Sequence, residues 1–307
     1  MDPSNAPPRF SLILPSYNGK ETLPDCLKAL QRLRHPEGEV EFILVDNCSS
    51  DTTAELLKEA ALSLGGQFLA EDRQGKSFAL NTAIAVARGD FLIFSDDDTL
   101  ADENWLNAYA KAIEDHPQRS VFAGQIRPEW RSKVPVWLNE LADRGQVCGC
   151  TPSDRKEGPY PPQLVKGANV MIRKEALNEH AFDTETVNFG ANSAQIGGED
   201  TKLMQELVAA GEEIIYVPDA RLEHIVQERE TTLPFILRRQ MRIGRGNAAS
   251  EGIAIPSALR ICGEIGAYII AAPALCVLGH KATAVHQLMK MARRAGMIQL
   301  WYSRLFG

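Results

Sequence analysis

Four apolar runs of strand length, at residues 10–14, 42–45, 67–69 and 91–94, punctuate the first third of this chain, and a helical pattern separates each from the next. In residues 52–65, Thr52 and Glu55 have the spacing of a capping box. Leu56, Leu57, Ala60, Ala61 and Leu64 share one face, and Gly65 marks the stop. Residues 77–87 read as a second helix, of small residues, closed by Gly89. Strands alternating with helices at this spacing call for right-handed crossovers, and so for a parallel sheet covered on both faces. The expected class is α/β.

Ligands of such sheets sit outside the carboxyl ends of the strands, so the residues just after each strand carry the functional information. Here they are Pro15-Ser16-Tyr17, Asp46-Asn47, Glu71-Asp72-Arg73 and Asp96-Asp97-Asp98. The rim they form holds an aromatic ring, an arginine and several carboxylates. An acidic rim accepts a phosphorylated ligand only with a divalent cation between them, and carboxylate oxygens suit Mg²⁺ or Mn²⁺. Asp96 and Asp98 have the D-x-D spacing that turns alternate residues of an extended chain to the same side. Three aspartates after a strand also describe a solvated turn or a helix cap. The rim position favours the metal.

Composition narrows the field. A chain of 307 residues with 44% hydrophobic content can bury a sizeable core, which excludes disorder as the main state. The net charge of -7 argues against nucleic acid as a partner, because neutralising phosphates needs a basic face. The six cysteines have no zinc-ligand spacing and read as reduced thiols. Residues 1–8, rich in Asn and Pro, lack the pattern of a signal peptide and read as a disordered N-terminus, which makes the cytoplasm the expected compartment.

Gly75-Lys76-Ser77 follows a strand and opens a helix, as a phosphate-binding loop would, and residues 91–96 imitate the apolar strand and Asp of an NTPase. That loop needs a glycine five residues before Gly75, where this chain has Ala70, and Glu71 and Asp72 set negative charge where phosphate would lie. A P-loop-like NTPase is therefore the alternative enzyme. No G-x-G-x-x-G follows the first strand, so the usual dinucleotide fingerprint is missing.

Taken in order, Leu14-Pro15-Ser16-Tyr17-Asn18, Val45-Asp46-Asn47-Cys48-Ser49-Ser50-Asp51, Gly75-Lys76-Ser77 through Asn81, and Phe94-Ser95-Asp96-Asp97-Asp98 resemble the family-2 glycosyltransferases of GT-A fold. The resemblance continues through Lys166-Gly167-Ala168-Asn169, Gly198-Glu199-Asp200-Thr201, and Tyr216-Val217-Pro218-Asp219-Ala220 leading to His224, and covers residues 9–247. It implies a GT-A domain over residues 9–250, with a nucleotide-binding half at 9–100 and an acceptor half at 101–250, followed by a C-terminal helical segment at 251–307. It also implies a metal-dependent, inverting transfer from a nucleotide-sugar, a UDP-sugar by analogy, to an acceptor hydroxyl.

By the same resemblance Pro15, Tyr17, Asp46, Arg73, Asp96 and Asp97 serve the donor, Asp98 and His224 the divalent metal (Mn²⁺ or Mg²⁺), and Asn169, Gly198 and Glu199 the acceptor side. Asp200 is the implied catalytic base, in a Gly197-Gly198 loop that lets a substrate approach closely. Residues 124–162, with Trp130 and Trp137, are expected to shape the acceptor side. The Q-x-x-R-W signature of processive members is absent, and the corresponding residues 238–247 are Arg-rich, which favours single additions. Cys48 stands where the family often has Gly. A non-catalytic sugar-nucleotide-binding module would keep Tyr17 and Asp46 yet have no need of Asp98 and Asp200.

The far end of the chain differs in character. No Asp or Glu follows Glu264, although Lys281, Lys290, Arg293, Arg294 and Arg304 are present. Residues 265–278 are apolar, interrupted by Gly266 and Pro273, and shorter than the roughly 20 residues a spanning helix needs. Together they suggest peripheral contact with the cytoplasmic face of a membrane, beside a lipid-linked acceptor sugar, in polysaccharide or glycolipid assembly. Val285, Leu288, Met289, Ala292, Trp301, Leu305 and Phe306 are the expected lipid-facing groups. A buried helix followed by a solvated basic one is the competing reading.

Overall fold

The first apolar runs become β1 (Phe10–Ser16), β2 (Val40–Asp46), β3 (Gln67–Ala70) and β4 (Phe91–Phe94) in the computed structural model, which describes residues 9–35, 40–177, 180–185, 198–251 and 255–306. β1 lies between β2 and β4, β3 lies outside β2, and every pairing among these strands is parallel. Parallel neighbours need crossovers, here α1 (Leu23–Leu30), α2 (Thr53–Leu64) and α3 (Lys76–Val86). The two-residue period of the strands divides the core. Leu12, Leu14, Phe42 and Leu44 pack toward α1 and α2, while Ile13, Ile43 and Val45 pack toward α3.

Two local expectations need correction. Thr52 is the N-cap residue of α2 but makes no side-chain cap; Asp51 Oδ1 accepts instead from Thr53 N at 3.0 Å and from the Thr53 hydroxyl. The second helix ends at Val86, where Ala87 turns extended, before Gly89 is reached.

Beyond β4 the sheet changes character. β5 (Thr99–Ala101), β6 (Val121–Trp130), β7 (Gly158–Pro159), β8 (Val170–Arg173) and β9 (Ile214–Val226) extend it to the order β3-β2-β1-β4-β8-β6-β9-β5, with β7 also on β9. β8 runs antiparallel to both β4 and β6, β6 and β9 are parallel, and β5 and β7 are antiparallel to β9. The parallel part is thus concentrated in the nucleotide-side half, and β9 carries the C-terminal part of the chain back across the sheet. α4 (Trp105–Asp115) and α6 (Glu199–Ala209) cover opposite faces.

Three long helices close the chain: α7 (Leu233–Glu251), α8 (Ile255–Val277) and α9 (Lys281–Phe306). α7 and α9 cross with their backbones in contact, since a Cβ on Gly244 would collide with the Arg293 carbonyl and one on Gly296 with the Met241 carbonyl. α9 also sends Ala282 and Met289 into a core shared with Ile236 of α7 and with Leu138 and Leu141 of α5 (Val136–Asp143). A boundary at residue 250 therefore does not detach α9 from the body. Of the expected lipid-facing groups of α9, Met289 and Ala292 are buried and Val285 packs against the α5–α7 core, while Leu288 and Trp301 stay half-buried. The side chains of Leu305 and Phe306 lie outside the described residues, as do residues 1–8.

Candidate active site

The four loops at the carboxyl ends of β1 to β4 are stitched together by their own polar side chains. Asn18 Oδ1 accepts from Ser50 N at 2.8 Å, joining the first loop to the second. Asn47 joins the second to the third: its Oδ1 accepts from Gly75 N at 2.8 Å and its Nδ2 donates to Arg73 O at 2.8 Å. The fourth loop is tied to both flanks, through a hydrogen bond from the Ser16 hydroxyl to Asp97 and an ion pair of 2.5 Å between Lys76 Nζ and Asp96 Oδ1. An acidic rim held by a mesh of this kind costs little to order when a ligand arrives.

On the nucleotide side, Tyr17 is exposed at the rim, as a stacking group must be. Asp46 is buried; its Oδ2 accepts weakly from Ser49 N at 3.3 Å, and its Oδ1 has no partner among the described residues. An orphaned buried oxygen is costly and marks a place where a ligand donor belongs. Pro15 is buried inside β1 opposite Val45, so it shapes the backbone. Arg73 is engaged within the protein. Two of its N–H groups clasp the buried Glu71 carboxylate at 2.8 Å each, and its guanidinium lies 4.6 Å from the Phe78 ring centroid. That clasp, with burial opposing it and Thr82 assisting, holds the Glu71 carboxyl down to about 2.

The three aspartates after β4 have three different partners. Asp96 faces Lys76. Asp97 is pushed up to about 7 by burial and by the neighbouring Asp98 charge, with the Ser16 hydroxyl opposing. Burial would raise Asp98 too, but the imidazole of His224 holds it below the usual carboxylate range, and the more distant Lys76 and Arg239 charges add to the effect. His224 Nε2 lies 3.1 Å from Asp98 Oδ2. These two residues meet because β9 pairs with β5 in a register that sets His224 opposite Thr99, and Ile225 N donates to Asp98 O at 2.7 Å.

Asp98 Oδ1 and His224 Nδ1 are both buried without a hydrogen-bond partner among the described residues. A carboxylate oxygen and an imidazole nitrogen suit a divalent cation. Among the described residues no three His, Cys, Asp or Glu side chains converge as a complete shell. With Nε2 turned to Asp98, His224 Nδ1 points away from it, so a cation here would be held by the Asp98 carboxylate and His224 Nε2 and would take its remaining ligands from a bound phosphate group or from water, as Mg²⁺ and Mn²⁺ commonly do.

Across the rim, Gly198 sits at φ 117°, a left-handed value that suits glycine, and starts α6. Gly197 lies outside the described residues. Asp200 Oδ1 accepts from Thr201 N at 2.8 Å and Oδ2 from Gly167 N at 3.0 Å, so a local bond and a cross-loop bond fix the carboxylate, while each oxygen keeps lone-pair capacity. Glu199 is buried and folds back onto Gly198 N at 3.0 Å; burial and the Asp200 charge raise its carboxyl above the usual range, with Lys76 opposing.

Asn169 does not line the acceptor side. Its side chain is buried, with Oδ1 accepting from Trp105 Nε1 at 2.9 Å and Tyr109 OH at 2.7 Å, and Nδ2 donating to Gln125 O and Ala220 O at 2.9 Å each. All four bonds an amide can readily make are spent inside the protein. Trp130 and Trp137 likewise pack partly against the α5–α9 core.

Three cations complete the site, and none was assigned a role from the sequence. Lys76 pairs with Asp96 and its charge also acts on Glu199 and Asp200; burial disfavours the ammonium, but these carboxylates more than offset that and raise its pKa. Arg239 and Arg242 project from α7. The Arg239 charge acts on Asp98 and His224, and Arg242 is pushed down to about 10 by burial and by Arg239, with Glu199 opposing. Their three-residue spacing was visible as an Arg-rich stretch, but only the docking of α7 decides which face turns inward. A separate cleft of about 710 Å³ between α1 and the β5–β6–β9 edge includes none of these rim residues in its lining.

The family described as "Glycosyl transferase family 2" matches residues 11–180. Glycosyltransferase AglE of Haloferax volcanii is 35% identical over 188 residues, covering 56% of this chain and 62% of its own length. The poly(ribitol-phosphate) β-N-acetylglucosaminyltransferase TarS of Staphylococcus aureus is 30% identical over 110 residues, covering 35% of this chain and 19% of its own. The chain thus spans between about one fifth and three fifths of these curated relatives. Among solved structures, the mannosyltransferase PcManGT from Pyrobaculum calidifontis, in complex with GDP-Man and Mn²⁺, superposes with a TM-score of 0.64 at 20% identity, covering 99% of this chain and 88% of that one. That likeness carries the fold.

Proposed function

We propose that this chain, which belongs to glycosyl transferase family 2, transfers a sugar from a nucleoside-diphosphate sugar to an acceptor hydroxyl with the help of a divalent cation held by Asp98 and His224. The observation that carries the reading is the Asp98–His224 pair, 3.1 Å apart, with Asp98 Oδ1 buried and without a partner among the described residues, on a rim that also presents Tyr17 and the orphaned Asp46 oxygen. A nucleotide base stacked on Tyr17 and donating an N–H to Asp46 Oδ1 would place its diphosphate toward Asp98. When bound, the cation neutralises charge on the departing diphosphate.

The protein's own groups supply the rest. Asp200 stands ready as the base, its carboxylate aimed by the Gly167 and Thr201 N–H groups. The acceptor oxygen attacks the anomeric carbon as Asp200 takes its proton; the bond from that carbon to the diphosphate breaks, the electron pair leaves with the nucleoside diphosphate, and the configuration inverts. Arg239 and Arg242 add positive charge on the α7 side. The P-loop alternative loses its support, because the Lys76 ammonium is paired with Asp96. The relatives' names, a poly(ribitol-phosphate) N-acetylglucosaminyltransferase among them, favour polysaccharide or glycolipid assembly as the setting.

The test is calorimetric titration of UDP and GDP into the protein with Mn²⁺ and with a chelator. Asp98→Ala is expected to abolish the metal-dependent part of the affinity, and His224→Ala to weaken it by about tenfold or more. Equal affinity with and without metal in the wild type would overturn the assignment.

A further inference from the structure

The apolar surface of this protein is concentrated on a helix that the fold leaves largely uncovered. The stretch Arg260–Val277 of α8 has a mean hydropathy of 1.5, yet only 11% of it is buried. Ile261 and Ala272 are buried, Ile261 among residues of α7 and α9, whereas Ile269, Ile270, Val277 and Leu278 are 57%, 77%, 87% and 70% exposed. Scattered exposed apolar residues are ordinary, but a contiguous row of this kind in an otherwise well-packed chain is not.

The charges around the row define what could cover it. No Asp, Glu, Lys or Arg occurs between Glu264 and Lys281. Glu264, at the edge of the row, is neutralised by Arg294 of α9 at 2.7 Å. The neighbouring helix has no acidic residue, and its Lys281 and Lys290 are exposed. An apolar face flanked by cations without local anions matches a bilayer with anionic headgroups. A second copy of the chain would bring the same uncompensated lysines together.

Length decides how such a helix would sit. The charge-free run of α8, residues 265–277, extends roughly 20 Å at about 1.5 Å per residue, short of the roughly 30 Å hydrocarbon core. α9 cannot sink beside it, because Arg293 is engaged with Gln240 of α7, and Ala282 and Met289 are packed into the core shared with α5 and α7.

We propose that α8 is a one-leaflet membrane anchor: Ile269, Ile270, Val277 and Leu278 enter an anionic lipid surface, and Lys281 and Lys290 meet its headgroups. α8 holds none of the rim residues, so the anchor stands apart from the reaction assigned to the rim. The two are mechanically linked, since α8 packs on α9 and α9 crosses α7 at Gly244 and Gly296, near the turn of α7 that carries Arg239 and Arg242. The rim is thereby held beside the lipid surface.

The experiment is flotation of the full chain with phosphatidylcholine vesicles, with and without phosphatidylglycerol, at low salt. The chain is expected to float with the anionic vesicles. Ile270→Glu combined with Val277→Glu should leave it in the soluble fraction, and because both side chains are exposed, thermal unfolding should match the wild type. Lys281→Glu combined with Lys290→Glu should reduce the vesicle-bound fraction by about tenfold or more while leaving the apolar row intact. A wild-type chain that ignores anionic vesicles overturns the proposal, and so does flotation unaffected by the glutamate pair at 270 and 277. A dimer by light scattering that these two glutamates dissociate, with no vesicle binding, assigns the face to a second copy instead.

Discussion

Lys76 Nζ lies 2.5 Å from Asp96 Oδ1, so the lysine that opens α3 is the counterion of the carboxylate loop after β4. Its charge also reaches Glu199 and Asp200 across the rim, which makes it the common neighbour of the donor-side and acceptor-side acids. Lys76→Met keeps the stem and removes the charge. Breaking a partly buried pair leaves Asp96 uncompensated, so a loss of about 1–3 kcal/mol is expected in urea unfolding. Nucleotide affinity in Mn²⁺ should fall as well, because the loop that carries Asp98 loses a tether; a variant with unchanged stability and affinity would reduce Lys76 to a solvated lysine.

Asp200→Asn separates binding from chemistry. The amide preserves size and can still accept at Oδ1, but it cannot take a proton from the acceptor. Turnover is expected to fall by about 10²–10⁴-fold with nucleotide-sugar affinity near that of the wild type. Comparable transfer rates in a single-turnover assay would leave Asp200 as an ordinary residue of the first turn of α6.

The Glu71–Arg73 clasp predicts a direction for acid stability. The Glu71 carboxyl is lowered from 4.5 to about 2 in the folded protein, so its contribution is fully present above the unfolded value and is lost as pH falls through the folded one. Arg73→Gln should therefore melt at a lower temperature than the wild type at pH 7, and the gap should narrow as the pH is taken from about 4.5 toward 2. A gap independent of pH across that window would mean that the clasp contributes through packing on Phe78 alone.

Asn169→Leu tests whether that residue is structural. The substitution leaves the Trp105 and Tyr109 donors and the Gln125 and Ala220 carbonyls unpaired in the interior. At about 1–3 kcal/mol for each unsatisfied group, a loss of at least roughly 3 kcal/mol in stability is expected by chemical denaturation. A stable variant with only a raised KM for acceptor would restore Asn169 to the acceptor side.

The parallel half of the fold was legible in the sequence because its signal is local. Four apolar runs with helices between them admit few arrangements, and Phe10–Ser16, Val40–Asp46, Gln67–Ala70 and Phe91–Phe94 follow those runs to within two residues at each end. The rim followed from the same logic, since a residue just past a parallel strand is at the carboxyl edge wherever the helices pack. Less was legible where the strands turn antiparallel, because β8 and β9 are placed by long-range pairing rather than by a crossover pattern.

The sequence by itself determined the chemistry available at the rim: the aspartates after β4, Tyr17 and Asp46 on the nucleotide side, and the Glu199-Asp200 pair at the head of a helix. Tertiary structure alone decided which of these groups are free to act. The β5–β9 register brings His224 to Asp98 from 126 residues away, Glu71 takes up two N–H groups of Arg73, and four interior groups claim Asn169. It also turned Met289 and Ala292 of α9 inward and left Ile269 and Ile270 of α8 outside. The reason is that a side chain's type sets what it can bind, whereas hydrogen-bond capacity and burial are shared among neighbours that only the folded chain assembles.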